Sequence, residues 1–163
     1  MENNRIIELN NVTLRYCNFA GRQTRYNDAG NRNFNVVLSE EDYQRMLDAG
    51  MNVRVRPPRN EGDDPTYLMK VNVSYEYRRP RVIFGDGENF MELDEDSLYM
   101  IDDADADGSI VHVDLTFRPS RSSKRTDDYG LSAYLKSIEV VVEDDPIVKR
   151  QNERLRKSEE APF

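Results

Sequence analysis

The stretch Tyr67-Leu68-Met69-Lys70-Val71-Asn72-Val73-Ser74-Tyr75-Glu76-Tyr77 alternates without a break. Met69, Val71, Val73, Tyr75 and Tyr77 fall on one face; Lys70, Asn72, Ser74 and Glu76 fall on the other. A period of two sustained this long marks a β-strand with one buried and one wet face. The same alternation recurs on both sides of it. Residues 110–117 turn Val111, Val113, Leu115 and Phe117 inward, and Val53 and Val55 alternate with Arg54 and Arg56. Residues 5–16 are β-branched and aliphatic, with Val12, Leu14 and Tyr16 alternating. Phe34 to Leu38 reads as a short apolar strand, Arg81 to Phe84 as an extended segment, and 131–142 as the last strand.

Turn residues punctuate these strands. Pro57-Pro58, Arg78-Arg79-Pro80 and Pro146 are stops, and 17–33, 59–66 and 118–130 are polar loops. Two short helices interrupt the pattern. Ser39 is a candidate N-cap with Asp42 three residues on; Tyr43, Met46 and Leu47 form the apolar stripe, and Gly50 ends the helix. A second helix is expected over 93–101, burying Leu93, Leu98 and Ile101. Many short strands with two small helices predict a mainly β protein, a closed or nearly closed barrel. Residues 1–146 read as one domain and 147–163 as a charged C-terminal helix or tail.

Composition narrows the function classes. At 163 residues the chain can bury roughly 70% of its unfolded surface without cross-links. Its one cysteine, Cys17, excludes an intramolecular disulfide and favours a reducing compartment. Its one histidine, His112, leaves little from which to build a catalytic triad or a multi-histidine metal site. The carboxylates are plentiful but lack a supporting His, Lys or Gly-rich phosphate cradle, so no enzyme activity and no cofactor are expected. No apolar run approaches the ~18 residues of a membrane span. The start, Met1-Glu2-Asn3-Asn4-Arg5, is too polar for a secretory signal.

The net charge of −8 hides segregation. Residues 1–36, 51–84 and 110–138 are net basic, while 85–109 hold no positive charge at all. Exposed charges interact over only about 8 Å at physiological salt, so a basic face can attract a polyanion despite the negative total. The basic stretches also hold aromatic rings. The candidate cations are Arg22, Arg25, Arg32, Arg54, Arg56, Arg78, Arg79, Arg81, Arg118, Arg121, Lys124, Arg125 and Lys136; the candidate rings are Phe19, Tyr26, Tyr77, Tyr129 and Tyr134. Single-stranded nucleic acid calls for this mixture, because cations track phosphates and flat rings stack on bases. A duplex reader needs a groove-filling basic helix, and none is evident. The plain alternative is that the rings are core and the arginines only solubilise. The acidic stretches 85–109 and 143–145 are expected to face away from a bound strand or to mimic it internally.

Two further patterns stand out. Asp103, Asp105, Asp107, Gly108 and Asp114 fit EF-hand loop spacing. An EF-hand needs a helix after its loop, and here a strand follows. The segment therefore reads as an acidic helix-to-strand turn, with a weak calcium site as the alternative. The C-terminus, Glu159-Glu160-Ala161-Pro162-Phe163, resembles the tail tip of bacterial single-stranded-DNA-binding proteins. That resemblance implies docking of Glu159, Glu160, Pro162 and Phe163 into a basic, apolar-floored pocket on a replication or recombination partner.

Further residues carry a broader resemblance. They are Asn18-Phe19 with Gly21, Tyr26-Asn27, Gly30, and Arg32-Asn33-Phe34 leading into Val36 to Leu38. Pro58-Arg59, Pro65, and Tyr67-Leu68 with Val71, Val73, Ser74 and Tyr75 continue it. Leu93-Asp94-Glu95-Asp96, Arg118-Pro119, Gly130 and Ala133-Tyr134-Leu135-Lys136 complete it. In this order and spacing the chain resembles a family of bacteriophage single-stranded-DNA-binding proteins, from about residue 12 to residue 145. The Asp103–Gly108 segment and the Arg/Ser loop at 120–128 depart from it. The resemblance implies an OB-like antiparallel barrel of five or more strands. It also implies a sequence-tolerant protein that coats exposed single-stranded DNA during phage replication and recombination, in the cytoplasm of a bacterial host. The competing expectation is a phage structural or adaptor barrel whose partner is another protein.

Overall fold

The computed structural model describes residues 5–25, 27–76, 78–121 and 130–143. Nine strands are β1 (Ile7–Leu9), β2 (Thr13–Asn18), β3 (Arg32–Leu38), β4 (Val53–Arg56), β5 (Thr66–Val73), β6 (Arg81–Gly85), β7 (Phe90–Leu93), β8 (Ile110–Ser120) and β9 (Ser132–Val142). Two helices are α1 (Glu40–Asp48) and α2 (Tyr99–Asp107). All the strands join one sheet with the path β1-β8-β9-β5-β3-β2; β4 adds to β5, β6 to β9 and β7 to β6. The mainly β, barrel-like expectation holds.

Two details differ from it. The strand pairs are antiparallel except β5–β9 and β6–β9, which are parallel. The β8–β9 hairpin sets the direction in which β9 enters the middle of the sheet, and that direction matches β5 and β6. The barrel also stops short of a continuous closed ladder. The segment read as one strand over 5–16 is two strands, with Asn11 between them at φ 51°. β1 pairs with β8 and β2 with β3, so this bent segment touches both ends of the path. The ends meet where Val12 N–H donates to Val113 O at 3.0 Å and Asn11 N–H to Asp114 Oδ1 at 2.9 Å.

The core follows from the alternation. Val71 is paired with Phe34 on one side and Ala133 on the other, and all three are buried. Phe117, Leu115, Val113, Ile138 and Val140 extend the same layer from β8 and β9. α1 forms as expected: Ser39 Oγ accepts from Asp42 N–H at 3.0 Å, and Met46 is buried. The second helix is shifted. Leu93 belongs to β7, where it pairs with Val82. Asp94 and Ser97 then form a capping box over a single 3-10 turn at Glu95–Ser97. Leu98 and Ile101 are buried as expected, but α2 runs on to Asp107 and ends at Gly108, whose φ of 74° a side chain would resist. β7 was not anticipated. The Asp86-Gly87 turn that creates it is a hairpin signal inside an acidic run, and Asp86 Oδ1 accepts from Glu88 and Asn89 N–H, each at 2.9 Å.

The shift of α2 gives the candidate calcium segment a form other than an EF-hand loop. Asp103, Asp105 and Asp107 lie on a regular helix, which fans successive side chains apart rather than wrapping them around an ion. Asp114 sits on β8, engaged by Asn11 N–H and by His112 Nε2 at 2.9 Å. Among the described residues no group of three or more His, Cys, Asp or Glu is arranged to hold a metal ion.

Candidate nucleic-acid interface

Strand register brings distant residues into one row on the outward face. Asn33 on β3 pairs with Asn72 on β5, Asn72 with Tyr134 on β9, and Tyr134 with Arg118 on β8. One step along, Asn35 pairs with Lys70. The floor so formed opens into a groove of about 1150 Å³. Its walls are the 25–33 loop, the turn after β5 and Glu95.

The groove is polar, and its charges cancel. Arg25, Arg32 and Lys70 face Asp28, Glu76 and Glu95, while amides and hydroxyls of Asn52, Ser74 and Ser132 fill the space between. Part of the acidic stretch 85–109 therefore does not turn away from the groove. Glu95 heads the 3-10 turn that the Asp94 cap positions, and its Oε2 lies 3.4 Å from Arg32 Nη2. Arg32 is held from the other side by Gly21: a Cβ at Gly21 would stand 2.9 Å from Arg32 Nη1, and its φ of 70° favours glycine.

Two donors on this wall have no acceptor among the described residues: Arg32 Nε and the Tyr75 hydroxyl, both buried. Burial raises the Tyr75 pKa first, and the Glu95 charge adds to it, with Arg32 pulling the other way. A neutral phenol therefore stays available as a donor. The amides of the loop are spent on architecture. Asn27 Nδ2 donates to the carbonyls of Arg22, Asp28 and Asn31, and Asn33 Nδ2 to Asn27 Oδ1 at 3.0 Å.

The sequence candidates separate into groups. Arg25, Arg32 and Tyr134 line the groove, and Arg118 stands beside Tyr134. Lys136 lies two residues further along β9, opposite the register shift of β8. Arg54 Nη2 donates to Asn35 Oδ1 at 2.8 Å, and the Arg56 guanidinium lies 5.2 Å from the centre of the Tyr16 ring. Arg78, Arg79 and Arg121 are exposed outside the groove. Arg81 is exposed too, 4.0 Å from Glu92. The Arg22 charge favours the Asp102 carboxylate. Phe19 is a correction. Its ring is 0% exposed and stacks on Phe34 at 4.6 Å, so it is core and offers no face to a base. Tyr26, Tyr77, Lys124, Arg125, Tyr129 and the tail Glu159, Glu160, Pro162 and Phe163 lie outside the described residues.

Sequence reasoning missed Lys70, Asn72, Tyr75 and Tyr16. Lys70 and Asn72 were legible as the wet face of the clearest strand, but a wet face alone does not say that it floors a groove. Alternation places Tyr75 in the core, and it does pack partly against it. Alternation points Tyr16 inward, and the structure turns it out.

Comparison with known proteins speaks to the family and the fold. The family model described as "Putative phage ssDNA-binding domain" matches residues 2–161. The chain belongs to that family. No curated protein sequence matches it. Among solved structures, the single-stranded DNA-binding protein from bacteriophage Enc34, in complex with ssDNA, is similar with a TM-score of 0.52 and 16% identity, covering 86% of this chain and 88% of that one. Gp2.5, a single-stranded DNA-binding protein encoded by bacteriophage T7, has a TM-score of 0.45 and 13% identity over the same shares. At such identity the first likeness speaks to the fold: an OB-type sheet.

Proposed function

We propose that this member of the phage ssDNA-binding family coats single-stranded DNA with little regard to sequence, laying the strand across the outward face of β3, β5 and β9. The observation that carries the reading is the row Asn33–Asn72–Tyr134–Arg118, whose first three residues line an open groove. The groove's cancelling charges fit bases and sugars better than a file of phosphates. Phosphates are then met at its margins by Arg54, Arg118 and Lys136, and in it by Arg25, Arg32 and Lys70. Tyr134 supplies a stacking face, worth roughly 1–3 kcal/mol per base. α1 and α2 are short and acid-rich, so neither serves as a basic reading helix for duplex.

The role is non-enzymatic, in phage replication and recombination in the host cytoplasm. Among the described residues no helix is long and apolar enough to cross a membrane. Residues 1–146 form the binding domain on this reading. The 147–163 segment offers Glu159, Glu160, Pro162 and Phe163 to a replication or recombination protein.

The test is fluorescence anisotropy of a labelled poly-dT of about 30 nucleotides, at low and moderate salt, with duplex competitor. Salt-sensitive binding that duplex does not displace is expected. An absence of binding at low salt, where cations act most strongly, would leave a protein-binding adaptor as the function.

A further inference from the structure

Tyr16 occupies a position that alternation assigns to the core, yet it is 50% exposed. The cause is local. The β2–β3 register shifts between Arg15 and Asn18, and Tyr16 takes φ 52° inside that bulge. A left-handed backbone is costly for a bulky residue and tends to persist at functional positions. A bulge re-aims a side chain, and here it carries an aromatic ring to the outside.

The ring is met there from a distant strand. β5 and β3 lie between β4 and β2 in the sheet. The Arg56–Tyr16 contact, made by two exposed residues, therefore joins strands that two others separate. Arg54 reaches the same way, to Asn35 on β3. Asn35, which accepts from Arg54, and Leu68, which pairs with Arg54, are buried at 6% and 4% exposure, although both alternate out of the core. β4 thus sends one cation to the Asn35–Lys70 rung beside the groove and a second to an aromatic ring on β2.

We propose that Tyr16 is a base-stacking platform, backed on one side by the Arg56 guanidinium and taking a nucleobase of the bound strand on its other face. The proposal rests on the single-strand reading above and extends the interface from the groove to the β2 edge. The guanidinium at 5.2 Å holds the ring in place by a cation–π contact. Its charge also sits where the phosphate next to a stacked base would lie. The pair then supplies in one place the two contacts that single strands require.

The experiment uses the full chain and labelled oligo-dT. Tyr16→Gly removes the ring at a backbone angle that glycine prefers, so the variant keeps its fold. It should bind roughly five- to a hundredfold more weakly, with the salt slope unchanged. Tyr16→Trp should keep the affinity. It also introduces the chain's first tryptophan, whose emission should be quenched on adding oligo-dT. Arg56→Ala should weaken binding and flatten the slope. Wild-type affinity in Tyr16→Gly, or unquenched emission from a Tyr16→Trp variant that binds, would overturn the platform while leaving the groove intact. Failure of the wild type to bind would overturn the single-strand reading and the platform with it.

Discussion

Glu95 stands 3.4 Å from the Arg32 guanidinium at the wall of the groove, with half of the Glu95 side chain exposed and only 16% of Arg32's. The carboxylate holds the most enclosed cation of the groove, and a phosphate must compete with it. Glu95→Gln keeps the shape and removes the charge. It should tighten binding to oligo-dT several-fold at low salt and steepen the salt dependence by up to about 0.7, the share of one phosphate contact. In an Arg32→Ala background the same change should have little effect, and a full double-mutant cycle by anisotropy checks this.

Lys70 and Tyr134 flank Asn72 on the groove floor, and their contributions should separate in salt titrations. Lys70→Ala should weaken binding and reduce the slope by about 0.7, as expected for one lost phosphate contact. Tyr134→Leu should weaken binding by roughly tenfold with the slope unchanged, because stacking releases no counterions. Equal slopes in both variants would show that Lys70 does not meet a phosphate.

Asp102 ties α2 to the end of β2. Its two carboxylate oxygens accept from Phe19 N–H at 2.8 Å and Ala20 N–H at 2.9 Å. This clasp orients the loop that leads to Arg25 and Arg32. Asp102→Ala leaves two part-buried donors without their acceptor and should cost about 2–4 kcal/mol in urea denaturation. The binding defect should exceed what the shared fold loss explains, because the groove wall loosens.

Asp105 lies near Asp102 and the Cys17 thiol. Burial, more than the neighbouring Asp102 charge, raises its pKa above the usual 3.8, against the opposing pull of the nearby Cys17 thiol. The same surroundings push the thiol up: burial first, then Asp105 and Asp102. A carboxyl whose folded pKa is raised stabilises the fold most below its unfolded value, and that contribution is lost as pH rises through the folded value. Asp105→Asn should therefore gain stability over wild type at neutral pH. The gain should shrink as pH falls toward 3.8. Chemical denaturation at pH 4, 5, 6 and 7 reads this directly, and a gain independent of pH would sink the account.

Alternation, capping residues and turn residues alone determined the strand-rich class, α1 with its Ser39 cap, and the inward residues Met69, Val71 and Val73 of β5 and Val113, Leu115 and Phe117 of β8; Val111, also expected inward, is 49% exposed beside the register shift between Ile110 and His112. These are local properties, fixed by side-chain period and by hydrogen bonds a few residues apart. The family likeness was also legible, because it resides in the order of short motifs. Other features required tertiary structure. The parallel entry of β9 beside β5 and β6 depends on pairing between strands far apart in sequence. The burial of Phe19 depends on Phe34 meeting it, and the start of α2 on the Asp94–Ser97 cap competing with the reach of β7. The site depends most on such pairings. Asn33, Asn72, Tyr134 and Arg118 form one row only because four strands align in register. Glu95 reaches Arg32 only because the acidic segment folds back against β3, and Tyr16 faces outward only because a bulge reverses its parity. A period of two tells which residues share a face of one strand; it is silent on which strands lie side by side, and the binding surface is built from that adjacency.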